Sequence, residues 1–143
     1  MSAEQNKALN RRLVEQGFST GNLAVIEELV AVNCLDHGAP PGAPNGLPGV
    51  KQFVAMFRGA FPDLRYDIQD QVAEGDKVVT RTVWHGTHQG PFLGIPPTGK
   101  QVAVAGMDMT RWQDGKAVEH WSNQDTLSLL QQLDVIPPTG QAM

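Results

Sequence analysis

The run from Val102 to Met109 is apolar except at one position, Asp108. An ionised carboxylate in such company is expensive unless it is paired, and otherwise it takes up a proton at a raised pKa. Both states suit acid/base chemistry, and groups perturbed in this way collect at active sites. The plain alternative is a carboxylate on a solvent-facing or subunit-facing strand, or one paired with Arg111 or Arg81.

A second set lies just beyond. His120, Ser122 and Gln124 occupy alternate positions, so on a strand they share one face. A purely structural inner face is apolar, which makes a polar stripe there a candidate site. Histidine has its ordinary pKa near neutrality, so His120 could move a proton with little tuning; on the outer face it would instead be a surface or subunit contact. His37 follows a helix at a loop entry. It is either a pocket residue or a cap at the helix C-terminus, where the dipole favours it. The four residues His37, Asp108, His120 and Ser122 are expected to converge on one cavity. Asp108 and His120 are the expected catalytic pair, and His37 and Ser122 are expected to contact substrate. Phe57, Trp84 and Phe92 are the expected apolar substrate contacts.

Whether Asp108 reaches His120 depends on a hairpin. Asp114-Gly115 is a strong turn signal. A two-residue turn places Asp108 opposite Trp121, whereas a three-residue bulged hairpin places it opposite Ser122 and beside His120. The sequence leaves both registers open.

Other chemistries lack their residues. No HxH or HxxxH pair occurs, and Cys34 is the single cysteine, so no metal site is expected. Ser122 has no GxSxG context. The Gly94–Gly99 segment, with prolines between, is no phosphate loop, and no dinucleotide fingerprint appears. No cofactor is therefore expected. His88 is expected to brace its own loop through hydrogen bonds.

The elements that must position these groups follow from periodicity. Ser2 and Gln5 form a capping box for a first helix that Gly17 stops. Asn22 caps a second helix over Leu23–Val32. A third runs over Val50–Ala60 and ends before Pro62. Strands are expected over Asp63–Ala73, Lys77–His85, Gln101–Trp112 and Lys116–Asp125, with a final helical turn over Thr126–Leu133. Gly/Pro-rich loops span Gly38–Gly49 and Gly86–Gly99. Ile95-Pro96-Pro97-Thr98-Gly99 recurs as Ile136-Pro137-Pro138-Thr139-Gly140, in surroundings that do not match. Helices first and antiparallel strands after them predict one α+β domain over residues 1–143.

Composition narrows the partners. Net charge is −4, and Arg11-Arg12 is the one adjacent basic pair. No basic stripe exists to neutralise phosphates, which argues against nucleic acid. The polar N-terminus lacks the apolar core of a signal peptide, and no apolar run approaches the ~20 residues that span a bilayer. A lone cysteine fits a reducing cytoplasm.

Several motifs occur in an order that resembles a known family: Asp36-His37, Phe61-Pro62-Asp63-Leu64, Glu74-Gly75-Asp76, Val78 to Arg81, Gly86 to Gly99, Asp114-Gly115-Lys116, Val118-Glu119-His120-Trp121, Asp125 and Gln131-Gln132-Leu133. On these the chain resembles the SnoaL-like polyketide cyclases, or ester cyclases, of the NTF2-like superfamily. The resemblance implies a cone in which three N-terminal helices pack on a curved antiparallel sheet and enclose a pocket. It also implies a homodimer or homotetramer formed through sheet faces. In the characterised cyclases an aspartate on the last strand is the general acid/base for an intramolecular aldol closure. Counted from the shared turn, it falls on Ser122. Their partner histidine falls on Asp108, and a pocket asparagine near His37. The aldol machinery is therefore not carried over residue for residue. The expected function is cofactor-independent acid/base catalysis on an apolar, carbonyl-bearing, polyketide-like molecule. The alternatives are a cofactor-free hydroxylase or epoxide hydrolase, a protein that only binds such a molecule, or an interaction module using its open sheet face.

Overall fold

The computed structural model describes residues 1–137. Most of the second Ile-Pro-Pro-Thr-Gly copy, from Pro138 on, lies outside the described residues, as does the end of the expected domain. Helix α1 (Ala3–Arg12) opens on the expected capping box: Gln5 N–H donates to Ser2 Oγ, and Ser2 N–H to Gln5 Oε1. It widens into a π-helical stretch over Leu13–Phe18. Gly17 sits there against Ile26, where a Cβ would lie 3.1 Å from Ile26 Cγ1, so the small residue admits the next helix. That helix, α2 (Leu23–Leu29), is capped by the Asn22 side chain, which accepts from Ala24 and Val25 N–H.

The second helix is three residues shorter than its apolar spacing suggests. At Val30 the chain turns extended and continues as strand β1 (Val30–Asp36). Val30 and Val32 are β-branched and fit an extended strand as well as a helix face. Helix α3 (Gly46–Ala60) follows. Then come β2 (Arg65–Glu74), β3 (Lys77–Thr87), β4 (Gln101–Gln113) and β5 (Lys116–Gln124), and the short helix α4 (Thr126–Gln132).

The strands form one sheet in the order β1-β5-β4-β3-β2. The expected α+β architecture is present, with one correction: the sheet is mixed, because β1 joins β5 in parallel. The other neighbours are antiparallel. Residues of both edge strands, Val30 and Cys34 on β1 and Tyr66 on β2, line the same cavity, so the sheet wraps around it.

Two apolar clusters hold the helices to the inner face. One joins Leu13, Ile26, Leu29, Val54, Val78 and Trp112; the other joins Phe57, Phe61, Trp84, Val104, Leu129 and Leu133. Trp112 belongs to the inner face, where its Nε1–H donates to Asn10 Oδ1 at 3.1 Å. No helix among the described residues is long and apolar enough to cross a membrane.

Candidate active site

The register of the β4–β5 hairpin decides which groups meet. The turn has two residues: Gln113 pairs with Lys116, and both Asp114 (φ 51°) and Gly115 (φ 78°) are left-handed, as a type I′ turn requires. By itself this turn would set Asp108 opposite Trp121. The ladder then shifts between Trp112↔Ala117 and Arg111↔Glu119, which leaves Val118 unpaired as a β-bulge. Past the bulge, Asp108 pairs with Ser122 and Thr110 with His120. The inward phase that Ala117 starts passes to His120, Ser122 and Gln124 instead of Glu119, Trp121 and Asn123.

Those side chains line a cavity of about 630 Å³ between the helices and the sheet. One wall is aromatic: Phe53 and Phe57 of α3, Tyr66, Trp84, and Phe92 of the β3–β4 loop. Phe57 makes a 4.8 Å edge contact with Trp84 and stacks on Phe92 at 5.5 Å. The opposite wall carries a row of ionisable groups. His120 Nδ1 lies 3.1 Å from Asp36 Oδ1, and its Nε2 lies 3.6 Å from Asp108 Oδ2. The side chains of this row are 22–26% exposed. Asp108 Oδ1 is sealed from solvent and accepts no hydrogen bond among the described residues.

The charge state follows from this order. Burial alone would push the His120 ring down, but hydrogen bonds and charge from Asp108 and Asp36 outweigh it, and its pKa rises to about 9. His120 is thus an imidazolium at neutral pH, donating Nδ1–H to Asp36, and not the near-neutral shuttle that an isolated histidine suggests. Asp36 answers in the opposite sense. Burial pushes its carboxyl up, but the hydrogen bond and charge of His120, with the Gly38 N–H, hold it below the ordinary value. No Lys or Arg is among the described residues that line the cavity. Beside the row, Gln124 Nε2 donates to Ser122 Oγ at 3.1 Å, which leaves the Ser122 hydroxyl proton uncommitted.

The structure brings Asp108, His120 and Ser122 together, and Phe57, Trp84 and Phe92 line the same cavity. It does not bring His37 there. Asp36 pairs with His120 and faces in, so the next residue of β1's path faces out. His37 lies on the outer surface, where Nε2 meets Glu119 Oε2 at 2.7 Å and the ring stacks on Trp121 at 4.9 Å. The pocket residue of that dipeptide is Asp36. Its inward parity is set by β1, the strand that the helical spacing of Leu29 and Val30 conceals. Tyr66 is another cavity residue not foreseen, because an alternating strand marks its face and not its chemistry.

The Gly86–Gly99 loop does reach the cavity mouth. Phe92 and Leu93 line it, and Ile95 packs partly buried below. His88 braces this loop as expected: it is fully buried, and its Nδ1 accepts from Thr98 N–H at 3.2 Å.

The SnoaL-like polyketide cyclase family matches residues 8–133 of the chain. The chain belongs to this family. Aklanonic acid methyl ester cyclase DnrD of Streptomyces peucetius is 29% identical over 137 residues, covering 93% of each protein. Among solved structures, TsrD of Streptomyces laurentii is similar with a TM-score of 0.87 and 25% identity, over 95% of this chain and 99% of that one. IdmH of Streptomyces antibioticus is similar with a TM-score of 0.80 and 35% identity, over 91% and 99%. Within this SnoaL-like chain, Ser122 on β5 stands across the ladder from the carboxylate of Asp108 on β4.

Proposed function

We propose that this chain is a polyketide cyclase-type enzyme in which Asp108 is the general base, His120 the fixed cation beside it, and Asp36 the group that orients His120. The observation that carries this reading is the Asp36–His120–Asp108 row on one wall of an otherwise apolar cavity. A charged row in such a place must be held by its own pairing, and the preorganised charge then acts in a medium that hardly screens it. The aromatic wall opposite suits a flat, conjugated, uncharged substrate.

The chemistry is a proton abstraction next to a carbonyl. Asp108 takes the proton, and the C–H electron pair forms the enolate double bond while the carbonyl π pair moves to oxygen. The enolate carbon attacks a second carbonyl of the same molecule and closes a ring. The proton on Asp108 then returns to the new alkoxide. His120, doubly protonated, lowers the energy of the negative charge throughout, and the free Ser122 hydroxyl proton can hold the second carbonyl. Asp108 thereby serves from the neighbouring strand in place of the aspartate replaced by Ser122.

The test uses 2-tetralone in D₂O, with exchange of its acidic hydrogens followed by NMR. Wild type is expected to accelerate exchange, and Asp108→Asn to lose about 10²–10⁴ of that acceleration with its fold intact. Full exchange in the variant would remove Asp108 as base. Tight binding of the ketone with no exchange in wild type would favour the binding-only alternative.

The same reading includes a homodimer in a reducing cytoplasm. The outer sheet face exposes Leu35, Val72 and Met107, apolar side chains that a second copy of the chain would cover. Sedimentation is expected to show a dimer at micromolar concentration and Met107→Glu to weaken it. A wild-type monomer at that concentration would refute the dimer.

A further inference from the structure

We propose that Tyr66 is a further catalytic residue, whose phenolic hydroxyl donates the hydrogen bond that holds the substrate's developing oxyanion across the cavity from Asp108. This assignment rests on the acid/base reading above.

Tyr66 belongs to β2, the edge strand farthest from β1 and β5, and pairs with Trp84 on β3. The wrap of the sheet brings it to the cavity that Asp108 lines. Its place is fixed from two sides. Its N–H donates to Ser19 Oγ at 3.0 Å, and its ring meets Phe57 edge-on at 6.5 Å and 69°. The hydroxyl has no hydrogen-bond partner among the described residues, and Tyr66 is half-buried in the cavity lining, where a ligand can meet it. Burial, and then the negative charge of Asp108, push the phenol above its ordinary pKa. Tyr66 therefore keeps its proton and can donate it as a hydrogen bond without losing it.

Several other donors are engaged elsewhere, and the Thr82 and Thr110 hydroxyls share the cavity lining with Tyr66. Asn10 Nδ2 donates to Thr80 Oγ1 at 2.7 Å. His120 faces its two carboxylates. Ser122 stands beside Asp108 on the adjoining strand and serves groups on that wall. A ketone whose α-carbon lies against Asp108 extends its oxygen away from that wall, toward β2. As Asp108 takes the α-proton and the carbonyl π pair moves to oxygen, the charge appears on the Tyr66 side. The Tyr66 O–H bond stays intact, and the shortened hydrogen bond relaxes once the enolate has attacked. A positioned donor of this kind is worth about 10²–10³ in rate.

The test needs no natural substrate. Asp108→Asn imitates the protonated base, and 2-naphthol imitates the enol. The single variant is expected to bind 2-naphthol with the absorption band of the naphtholate. Asp108→Asn/Tyr66→Phe should bind about tenfold more weakly and lack that band. Equal affinity and equal spectra in the two proteins overturn the assignment, as does a missing naphtholate band in both. In the 2-tetralone exchange, Tyr66→Phe alone should lower kcat by about 10²-fold with KM nearly unchanged, whereas a packing role would raise KM or lower the melting temperature. Exchange lost in Asp108→Asn but retained in Tyr66→Phe removes the donor and leaves the base. Exchange retained in Asp108→Asn removes the base, and the naphthol spectra still judge Tyr66.

Discussion

Asp36 and His120, 84 residues apart, meet at 3.1 Å across the parallel β1–β5 pair. The contact is anchored on the backbone as well, because His37 N–H donates to the His120 carbonyl at 2.8 Å. A first-half strand thus fixes the tilt and supports the charge of a last-strand imidazolium, a usual task of a carboxylate behind a histidine. Asp36→Asn should therefore act through His120. The ring pKa, raised to about 9 by its two carboxylates, should fall by about one unit or more on losing one of them. Histidine NMR titration reads this directly, and an unchanged His120 titration would refute the coupling.

The ion pair also predicts how stability varies with pH. The folded pKa of His120 lies above its ordinary 6.5, so the contribution is complete below that value and is lost as pH rises toward about 9. The folded pKa of Asp36 lies below its ordinary 3.8, so its contribution is present above that value and is lost as pH falls through the lowered one. Urea unfolding of wild type should weaken between pH 6.5 and about 9, the interval over which the folded protein still holds the His120 charge and the unfolded chain has lost it. His120→Gln should show a flatter profile over the same interval. Parallel profiles would mean that the imidazolium adds nothing to folding.

Cys34 offers a reporter for the cavity. Burial, followed by the charges of Asp36 and Glu119, raises its thiol to about 11, so little thiolate exists at neutral pH. It also lines the cavity. Native protein should react with a maleimide far more slowly than unfolded protein, and 2-tetralone should slow the reaction further. Labelling at the unfolded rate would contradict the buried placement.

Two glycines should respond differently to the same methyl group. A Cβ on Gly90 would run into the Gly59 carbonyl, which is backbone and cannot turn aside. A Cβ on Gly106 would meet only the amide end of Gln124. Gly90→Ala should cost about 1–3 kcal/mol in urea unfolding. Gly106→Ala should cost less, while displacing Gln124 from Ser122 and weakening ketone binding. The reverse order of stability would show that the loop anchored at Ala60 yields more easily than the cavity wall.

Much of the fold was legible because local signals agreed with the tertiary answer. Ser2 with Gln5, and Asn22, cap the helices that their side-chain chemistry announces. The alternation along β5 placed His120 and Ser122 on one face, while the register that brings Asp108 to them stayed open. What stayed hidden depended on pairing between distant segments. β1 exists because β5 offers it an edge, and Val30–Asp36 taken alone reads equally well as a helix end and a loop. The error at His37 follows from that: without the strand, nothing says which of Asp36 and His37 faces inward. The bulge at Val118 was equally silent, since Ala117-Val118-Glu119 carries no glycine or other mark of an extra residue.

That bulge makes the β5 side of the cavity a matter of phase. Deleting one residue there, with the turn kept, would rotate everything beyond it by half a period. Trp121 and Asn123 would enter the cavity, and His120 and Ser122 would leave it together. The polar groups that β5 turns into the cavity are therefore inherited as a block, switched in or out by a single codon. A chain of almost the same sequence could keep the cone and hold an entirely different chemistry inside it.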